Sequence, residues 1–420
     1  IVMKKTAPFI LMIPCVIFAL LILFACSKPQ HKDDPAVQST PTAEIQTPVL
    51  IEGKKEPLEL LYNTLSNPGT QTQNGFYRTV DTGESFSNIV YIDFSSQRMV
   101  YLCAQPNCLH RTPDCTSYLD SELSLGGFAA CADSLYFFSP NGEIWRMNLD
   151  GSEREKIYTG AAAANLDTDL AYDGDNLFWI QTIPSGEKST SRLVCLNLSD
   201  YNLQELCTFD ETVSIEAVQD RNIVLQHRFA DETMSVGKFD VDTQQETCIY
   251  TDENASTKYG LVDLTRYVYI DYTDKSVKEI IFGEQNPITL LENLDMNENT
   301  PIYVNELRDD HFAFTIHRPN GDNSYMIHDY YSIDLTTGNM VNQLPVIDNM
   351  GEETSAEIVA DMQDAYLVRC GIQRVTYHTV MDDGTIQQRE GPFAQYGMIS
   401  KENYWKGISE YTAIQSDVNL

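Results

Sequence analysis

The chain has 420 residues, of which 61 are Asp or Glu and 28 are Lys or Arg, so its formal net charge at pH 7 is −33. This charge argues strongly against partners that bind through a basic surface, namely nucleic acids and anionic lipids. The length suffices for one large β domain or two ordinary domains. Short β-branched and aromatic runs separated by Asp, Asn and Gly favour an all-β fold.

Residues 1–25 are predicted to be a secretory signal. A short basic start, Met3-Lys4-Lys5, precedes an almost unbroken apolar run from Ile10 to Phe24. This run is shorter than the roughly 20 residues that a transmembrane helix needs, and it contains Pro14. A plain secretory signal also fits the charge and length.

The end of this signal, Leu23-Phe24-Ala25-Cys26, resembles a bacterial lipobox. The resemblance implies cleavage before Cys26 and a lipid on that cysteine. We therefore expect an extracytoplasmic protein that is held to the bacterial bilayer through Cys26. Whether that bilayer is an inner or an outer membrane is left open.

Residues 26–55 are rich in Pro, Thr, Gln and Lys and poor in large apolar side chains. Such a segment buries too little apolar surface to offset its ordering entropy, so it is predicted to be a flexible stalk. Glu56 to Leu65 is the only stretch with the pattern of a short helix.

A repeated unit of β runs and Asx-rich turns is predicted to fill residues 56–420. It begins with Phe76-Tyr77 and Val90 to Phe94, and six further copies follow at intervals of about 45 residues, as in repeat folds with several strands per unit. The first strands of these copies are anchored at Leu135, Leu177, Ile223, Tyr267, Phe312 and Ala365.

This period predicts a single seven-bladed β-propeller, because each unit is too small to bury both faces of its own sheet. The rival fold, a pair of β-sandwiches, does not need a constant period. The first unit lacks a recognisable strand before Phe76, so a C-terminal strand is expected to complete the first blade and close the ring. The candidate segments are Tyr396–Ile399 and Tyr411–Ile414.

Asn148-Leu149-Asp150-Gly151-Ser152, which follows Ile144-Trp145-Arg146, resembles the repeat of bacterial lipoprotein propellers of the domain-of-unknown-function 5050 family. That family is distantly similar to TolB-like propellers. The resemblance covers essentially the whole mature domain. It implies the architecture and the membrane location but no established activity.

The densest group of reactive side chains is the loop 103–115, which is predicted to be inserted after the last strand of the first blade. Cys103, Cys108, His110 and Cys115 form the donor set of a closed, structural zinc site. Disulfides are the alternative outside the cell, with Cys131 as a possible fourth partner, and free thiols are a third reading. Surface lipoproteins of Gram-positive anaerobes contain a similar stretch.

No catalytic constellation is visible in the sequence, because the histidines at 227, 311, 317, 328 and 378 are spread over three of the units. Asp173-Gly174-Asp175-Asn176 is interpreted as a turn, since it lacks the further ligands of a calcium loop. The leading hypothesis is a surface-exposed scaffold that binds another envelope protein, a glycan or a small solute. The alternatives are a hydrolase or lyase of extracellular carbohydrate or peptide with its site at the propeller mouth, and a metal- or redox-responsive sensor.

Overall fold

A computed structural model of the protein describes residues 56–61, 69–82, 86–120, 123, 127–139, 141–160, 169–185, 188–296, 300–319, 326–343, 346–347, 353–354, 356–380 and 385–418. The predicted signal, Cys26 and the predicted stalk lie outside these ranges. In the described part of the chain, no helix has the length and apolar character needed to cross a membrane.

The first strands in chain order are β1 (Glu59–Leu61) and those of blades 1 to 3. Blade 1 contains β2 (Gly69–Thr72), β3 (Gly75–Asp81), β4 (Phe86–Asp93), β5 (Arg98–Tyr101) and β6 (Tyr118–Asp120). Blade 2 contains β7 (Gly127–Cys131), β8 (Ser134–Phe138), β9 (Glu143–Asn148) and β10 (Glu155–Thr159). Blade 3 contains β11 (Leu170–Tyr172), β12 (Asn176–Ser185), β13 (Lys188–Asn197) and β14 (Leu203–Phe209).

Blades 4 to 7 continue the same antiparallel pattern. Blade 4 contains β15 (Thr212–Gln219), β16 (Asn222–Arg228), β17 (Met234–Asp240) and β18 (Gln245–Asp252). Blade 5 follows a single 3-10 turn (Ala255–Thr257) and contains β19 (Lys258–Val262), β20 (Arg266–Asp271), β21 (Ser276–Ile281) and β22 (Ile288–Leu291). Blade 6 contains β23 (Ile302–Arg308), β24 (His311–Pro319), β25 (Met326–Asp334) and β26 (Met340–Asn342).

A small hairpin of β27 (Val346–Ile347) and β28 (Glu353–Thr354) precedes the last blade. Blade 7 contains β29 (Glu357–Asp361), β30 (Ala365–Val380), β31 (Ile386–Ser400) and β32 (Thr412–Ala413), with the helix α1 (Lys401–Trp405) between its last two strands. The last strand is β33 (Gln415–Ser416). The prediction of an all-β, seven-bladed propeller is confirmed.

The blades are held together by face-to-face packing of their middle strands. Every residue of β8 is buried, because neighbouring blades cover both faces of the sheet. The apolar core accordingly divides into clusters that each join two successive blades. One example is Phe178 of blade 3 with Ile223 and Phe239 of blade 4. This packing explains why single units need their neighbours to be stable.

The ring closes between blades 7 and 1. Leu367 and Tyr396 of blade 7 share a core cluster with Phe76 and Val90 of blade 1. β33 also pairs in parallel with β5, so that Gln415 lies opposite Arg98. A C-terminal strand therefore closes the propeller as predicted.

Two details of the predicted closure were wrong. Tyr396–Ile399 belongs to β31 and Thr412–Ala413 forms β32, so both candidate segments lie in blade 7, and the next two residues form the closing strand. Blade 1 also has its own innermost strand, β2, before Phe76. The sequence Gly-Thr-Gln-Thr of β2 carries no large apolar side chain and therefore shows no strand pattern.

The helix predicted for Glu56 to Leu65 is not present in the described residues 56–61. Glu59–Leu61 forms β1 instead, which pairs antiparallel with β11, the innermost strand of blade 3. The open edge of β11 supplies backbone partners, and Leu58 and Leu61 are buried by this placement. Residues 62–65 lie outside the described ranges.

The Asx-rich turns of the repeat act as predicted. Asp240 Oδ1 accepts hydrogen bonds from the amides of Asp242 and Thr243, and Asp334 Oδ1 accepts from those of Thr336 and Thr337. These carboxylates satisfy amides that the turn leaves unpaired between the third and fourth strands. Asp173 binds the amides of Asp175 and Asn176 in the same way, which supports the turn interpretation of that segment.

Candidate metal centre and axial cavity

The cysteine loop interrupts the fourth strand of blade 1 rather than following it. Both β5 and β6 pair with β4, and residues 102–117 leave and return to the sheet opposite Ile89. The Ile89 amide donates to the Ser117 carbonyl at 2.7 Å, and the Leu102 amide donates to the Ile89 carbonyl at 3.0 Å. The loop is therefore a large bulge with a narrow neck. The prediction that it follows the last strand of the first blade was wrong, because the chain returns to the same sheet as β6.

Blade 2 supports the neck of this loop. The Arg154 guanidinium donates to the carbonyls of Tyr118 and Thr116 at 2.6 and 2.9 Å. Gly151, with φ +86°, passes so close that an added Cβ would lie 2.9 Å from Thr116 Cβ. Glycine is required here by both the left-handed backbone and the close approach.

Two similar turns aim cysteines inward. In Gln105-Pro106-Asn107-Cys108 and in Thr112-Pro113-Asp114-Cys115, the cysteine amide donates to the carbonyl of the first residue, at 3.4 and 2.9 Å. Proline is favoured at the second position of such turns, and Asn107 adopts φ +57° at the third. The local sequence thus dictates the path of the loop.

The four predicted ligands come together. The donor atoms of Cys103, Cys108, His110 and Cys115 all lie within 4.8 Å of one another. His110 Nδ1 is 3.3 Å from Cys115 Sγ, and the His110 amide donates to Cys108 Sγ at 3.4 Å. Tetrahedral Zn–S bonds of about 2.3 Å place donors about 3.8 Å apart, so the group fits such an ion after small adjustments.

The surroundings orient the imidazole and tune the thiols. His110 stacks on Tyr101 with ring centroids 4.0 Å apart, and Asn88 donates to the His110 carbonyl at 2.9 Å. Burial lowers the pKa of His110, which favours the neutral form that binds metals, and raises the pKa of Cys115 to about 12. Burial also acts to raise the pKa of Cys103, but hydrogen bonds from the Gln105 amide and from neighbouring thiols outweigh it and lower that pKa.

The other cysteines lie apart from this group. Cys131 is buried in β7 among the core residues shared by blades 2 and 3, and burial raises its pKa strongly. The cysteines at 195, 207, 248 and 370 lie in strands of other blades, and all eight cysteines of the described ranges are free thiols.

The histidines do not converge on one site among the described side chains. His317 and His328 face each other across blade 6, with ring centroids 4.1 Å apart, and His311 stacks on Trp405. His378 lies in β30, and its side chain is outside the described part of the chain.

His227 of blade 4 is enclosed by two carboxylates that the sequence did not link to it. Its Nδ1 lies 2.9 Å from Glu211 Oε1, and its Nε2 lies 2.7 Å from Glu246 Oε1. Glu246 reaches the ring across Gly237, which lacks the side chain that would block it. Burial acts to lower the pKa of His227, but the two carboxylates outweigh it, so the pKa is raised.

An axial cavity of about 310 Å³ lies among the innermost strands of the ring. Its wall combines the side chains of Gln71, Asp169, Glu216, Asn305, Glu306 and Arg308 with apolar side chains such as Ile215, Leu261 and Val359. A smaller cavity of about 150 Å³ lies beside β1. No sequence motif marks these residues, because they come from separate blades.

No protein-family model matches the chain, and no curated protein matches it. Among solved structures, an oligogalacturonate lyase in complex with manganese aligns with a TM-score of 0.45 and 13% identity, over 84% of this chain and 100% of that one. TolB from Acinetobacter baumannii aligns with a TM-score of 0.34 and 13% identity, over 83% and 80% of the two chains. The tricorn protease aligns with a TM-score of 0.30 and 8% identity over 84% of this chain, which spans only 43% of that protein. We draw no functional conclusion from these similarities.

Proposed function

We propose that this protein is a lipid-anchored, extracytoplasmic propeller that acts as a binding scaffold, with the loop 103–115 held by one structural zinc ion. The observation that carries the proposal is the convergence of three thiols and one imidazole within 4.8 Å. The binding partner is an envelope protein, a glycan or a small solute.

The donor set favours zinc and a structural role. Thiolates and imidazole suit zinc, whereas manganese and magnesium prefer oxygen ligands. Four protein ligands complete a tetrahedron and leave no position for water or substrate. Such an ion would cross-link the two Pro-Asx-Cys turns and hold the loop against Tyr101, and it would take no part in a reaction.

A binding role agrees with how the loop is displayed. Leu109 lies between two of the metal ligands and is 82% exposed, and the loop projects from the outer strand of blade 1. A metal-held loop presents such a side chain in a fixed position, which lowers the entropy cost of binding. The acidic surface and the predicted stalk are consistent with display outside the membrane.

The metal is tested by native and denaturing masses of the full chain, purified in detergent without chelator from an export-competent host. We expect additional native mass equal to one zinc ion and fully reduced cysteines after denaturation. A protein without metal that has lost two hydrogens for each bridge would establish disulfides and overturn the zinc proposal. A metal-free protein with reduced thiols would also overturn it.

The anchor is tested with Cys26→Ser. We expect the mature wild-type protein to begin at a diacylglycerol-modified Cys26 and to sediment with membranes. The variant should carry no lipid, and its mass should equal that of the unmodified polypeptide. An unmodified wild-type protein in the membrane fraction would overturn the lipoprotein assignment.

A further inference from the structure

The axial cavity has the size and construction of a ligand site. Its volume of about 310 Å³ lies within the range of small-molecule sites, about 300–1,000 Å³. The wall is formed mainly by the innermost strands of blades 1, 4, 5, 6 and 7. These strands belong to the rigid ring, so the side chains that line the cavity are positioned before any ligand arrives.

Three of these strands carry a β-bulge at the cavity. The pairing of β15, β23 and β29 with the next strand shifts around Glu216, Asn305 and Val359 respectively. All three residues line the cavity. A bulge adds one residue to the ladder and redirects its side chain, and bulges are frequent beside functional sites. The bulges of three different blades therefore all place residues in the wall of the same cavity.

The charges in the wall are unequally compensated. Arg308 donates to Glu306 Oε1 at 3.1 Å and to Asp361 Oδ2 at 3.0 Å, and Lys401 lies 2.7 Å from Asp361 Oδ1. Lys401 also lies 3.0 Å from Asp309 Oδ2, so these groups form a network in which two cations face three anions.

Glu216 lies outside this network. Among the described residues, its one side-chain hydrogen bond is accepted from the Ser214 hydroxyl, and no lysine or arginine forms an ion pair with it. Burial raises the pKa of Glu216, and the hydrogen bond from Ser214 and the field of Arg228 only partly oppose this. A cation in the cavity would replace the solvation that the carboxylate has lost.

Asn305 supplies a second acceptor. Its Nδ2 donates to Thr315 Oγ1 at 2.8 Å, and among the described residues no group donates to its Oδ1. Asn305 is also the residue at the bulge of β23, and it lines the cavity. Leu261, Val262 and Ile215 provide apolar wall nearby. Among the described residues, only the loop 103–115 brings three or more Cys, His, Asp or Glu side chains close enough to hold a metal ion. The cavity therefore suits an organic cation better than a metal.

From this arrangement we infer that the axial cavity binds a small primary amine with an apolar body, with its ammonium group donating to Glu216 and Asn305. This inference deepens the proposed scaffold role, on which it rests, by naming a site and a ligand class. The ammonium donates hydrogen bonds and supplies a positive charge beside the Glu216 carboxylate, which forms no ion pair with a lysine or arginine of the described residues. The apolar body of the ligand covers the leucine and valine side chains.

The test is calorimetric titration of the full chain in detergent with benzylammonium, n-hexylammonium and 1,4-diaminobutane, against benzyl alcohol and benzoate. We expect one amine per protein, bound at least tenfold more tightly than the neutral and anionic compounds. Glu216→Gln should weaken amine binding at least tenfold, whereas Glu410→Gln, at an exposed position, should leave it unchanged. Affinity should also fall as pH decreases through the raised pKa of Glu216.

Equal affinity for amine and alcohol in the wild-type protein would overturn the inference, as would the absence of binding by every amine. Unchanged affinity in a folded Glu216→Gln protein would also overturn it. The wild-type comparison decides the matter if that variant does not fold. If the protein contains zinc but binds no amine, this inference is wrong and the zinc proposal stands. If the protein contains no metal but binds amines, the zinc proposal is wrong and this inference stands.

Discussion

The loop 103–115 and the axial cavity both gather polar groups, but they do so in opposite ways. The loop brings four donors together within one short segment, through two proline turns and a narrow neck at Ile89. The cavity collects Glu216 from blade 4 and Asn305 and Arg308 from blade 6, which are far apart in the chain. The loop depends on local turns and, under the proposed function, on an ion, whereas the cavity depends on closure of the whole ring.

The difference implies that the two sites fail separately. Loss of the ion should loosen the loop and leave the blades packed, because the loop lies outside the clusters that join most blades. Substitution in the cavity should change charge and ligand binding, because the ring itself holds the side chains in place.

The largest local effect is expected for Cys115→Ser, since Cys115 is the buried ligand at 2% exposure. We expect loss of zinc and hydrogen exchange at least a hundredfold faster within 103–115, equal to about 3 kcal/mol of local stability. The matched control is Cys248→Ser, which makes the same change at an exposed thiol. Retention of zinc by Cys115→Ser would contradict the ligand assignment.

His227→Gln sharpens the comparison, because His227 depends on distant residues but is fully satisfied by Glu211 and Glu246. Hydrogen bonds to charged groups contribute about 2 kcal/mol each. The variant is therefore expected to lose about 2 kcal/mol of unfolding free energy at about pH 6. The pKa of His227 is raised by folding, so this stability is present below the unfolded pKa and disappears as pH rises through the folded one. Urea unfolding of both proteins at about pH 6 and pH 9 measures it. If the difference in unfolding free energy between wild type and variant is not smaller at the higher pH, the proposed stabilisation of protonated His227 by the two carboxylates is wrong.

Gly151→Ala probes the contact between blade 2 and the loop. We expect a loss of about 1–2 kcal/mol from the left-handed backbone and the clash with Thr116, together with weaker zinc retention against chelator. Gly283→Ala is the control, because Gly283 has φ +95° and nothing within 4 Å of the added Cβ. The difference between the losses of unfolding free energy at Gly151 and at Gly283 measures the clash with Thr116. Equal losses would show that the neck of the loop moves to accommodate the added methyl group.

The smallest effect is expected for Glu216→Gln, which should stabilise the ligand-free protein by about 1 kcal/mol or less at pH 7. Folding raises the pKa of Glu216, so the wild-type protein loses stability as pH rises from the unfolded pKa through the folded one. The glutamine variant should lack this loss. Thermal melting between about pH 4 and pH 8, with Glu410→Gln as control, tests it. Parallel pH profiles of wild type and variant would count against a buried, uncompensated carboxyl.

Sequence reasoning succeeded where the determinants are local. Copies such as Ser134–Phe138 and Glu143–Asn148 show the apolar runs and Asx turns that each blade needs, and the loop shows its donors in one stretch. It failed at β1 and β33, because strands of two or three residues carry no periodicity and form only on an edge that another part of the fold supplies. Nothing in the sequence around His227 pointed to Glu246, since Gly237 of the intervening strand determines that contact.

The sequence by itself determined the all-β repeat, the number of blades and the group of three cysteines and one histidine in the loop 103–115. Hydrophobic alternation, turn chemistry and the short spacing of these side chains all act between near neighbours. Only the tertiary structure decided which strand closes the ring, that β1 lies along β11, and that Glu216 and Asn305 line one cavity. These features arise when the seven blades pack around a common axis, and the energy of that packing is shared among residues far apart in the chain.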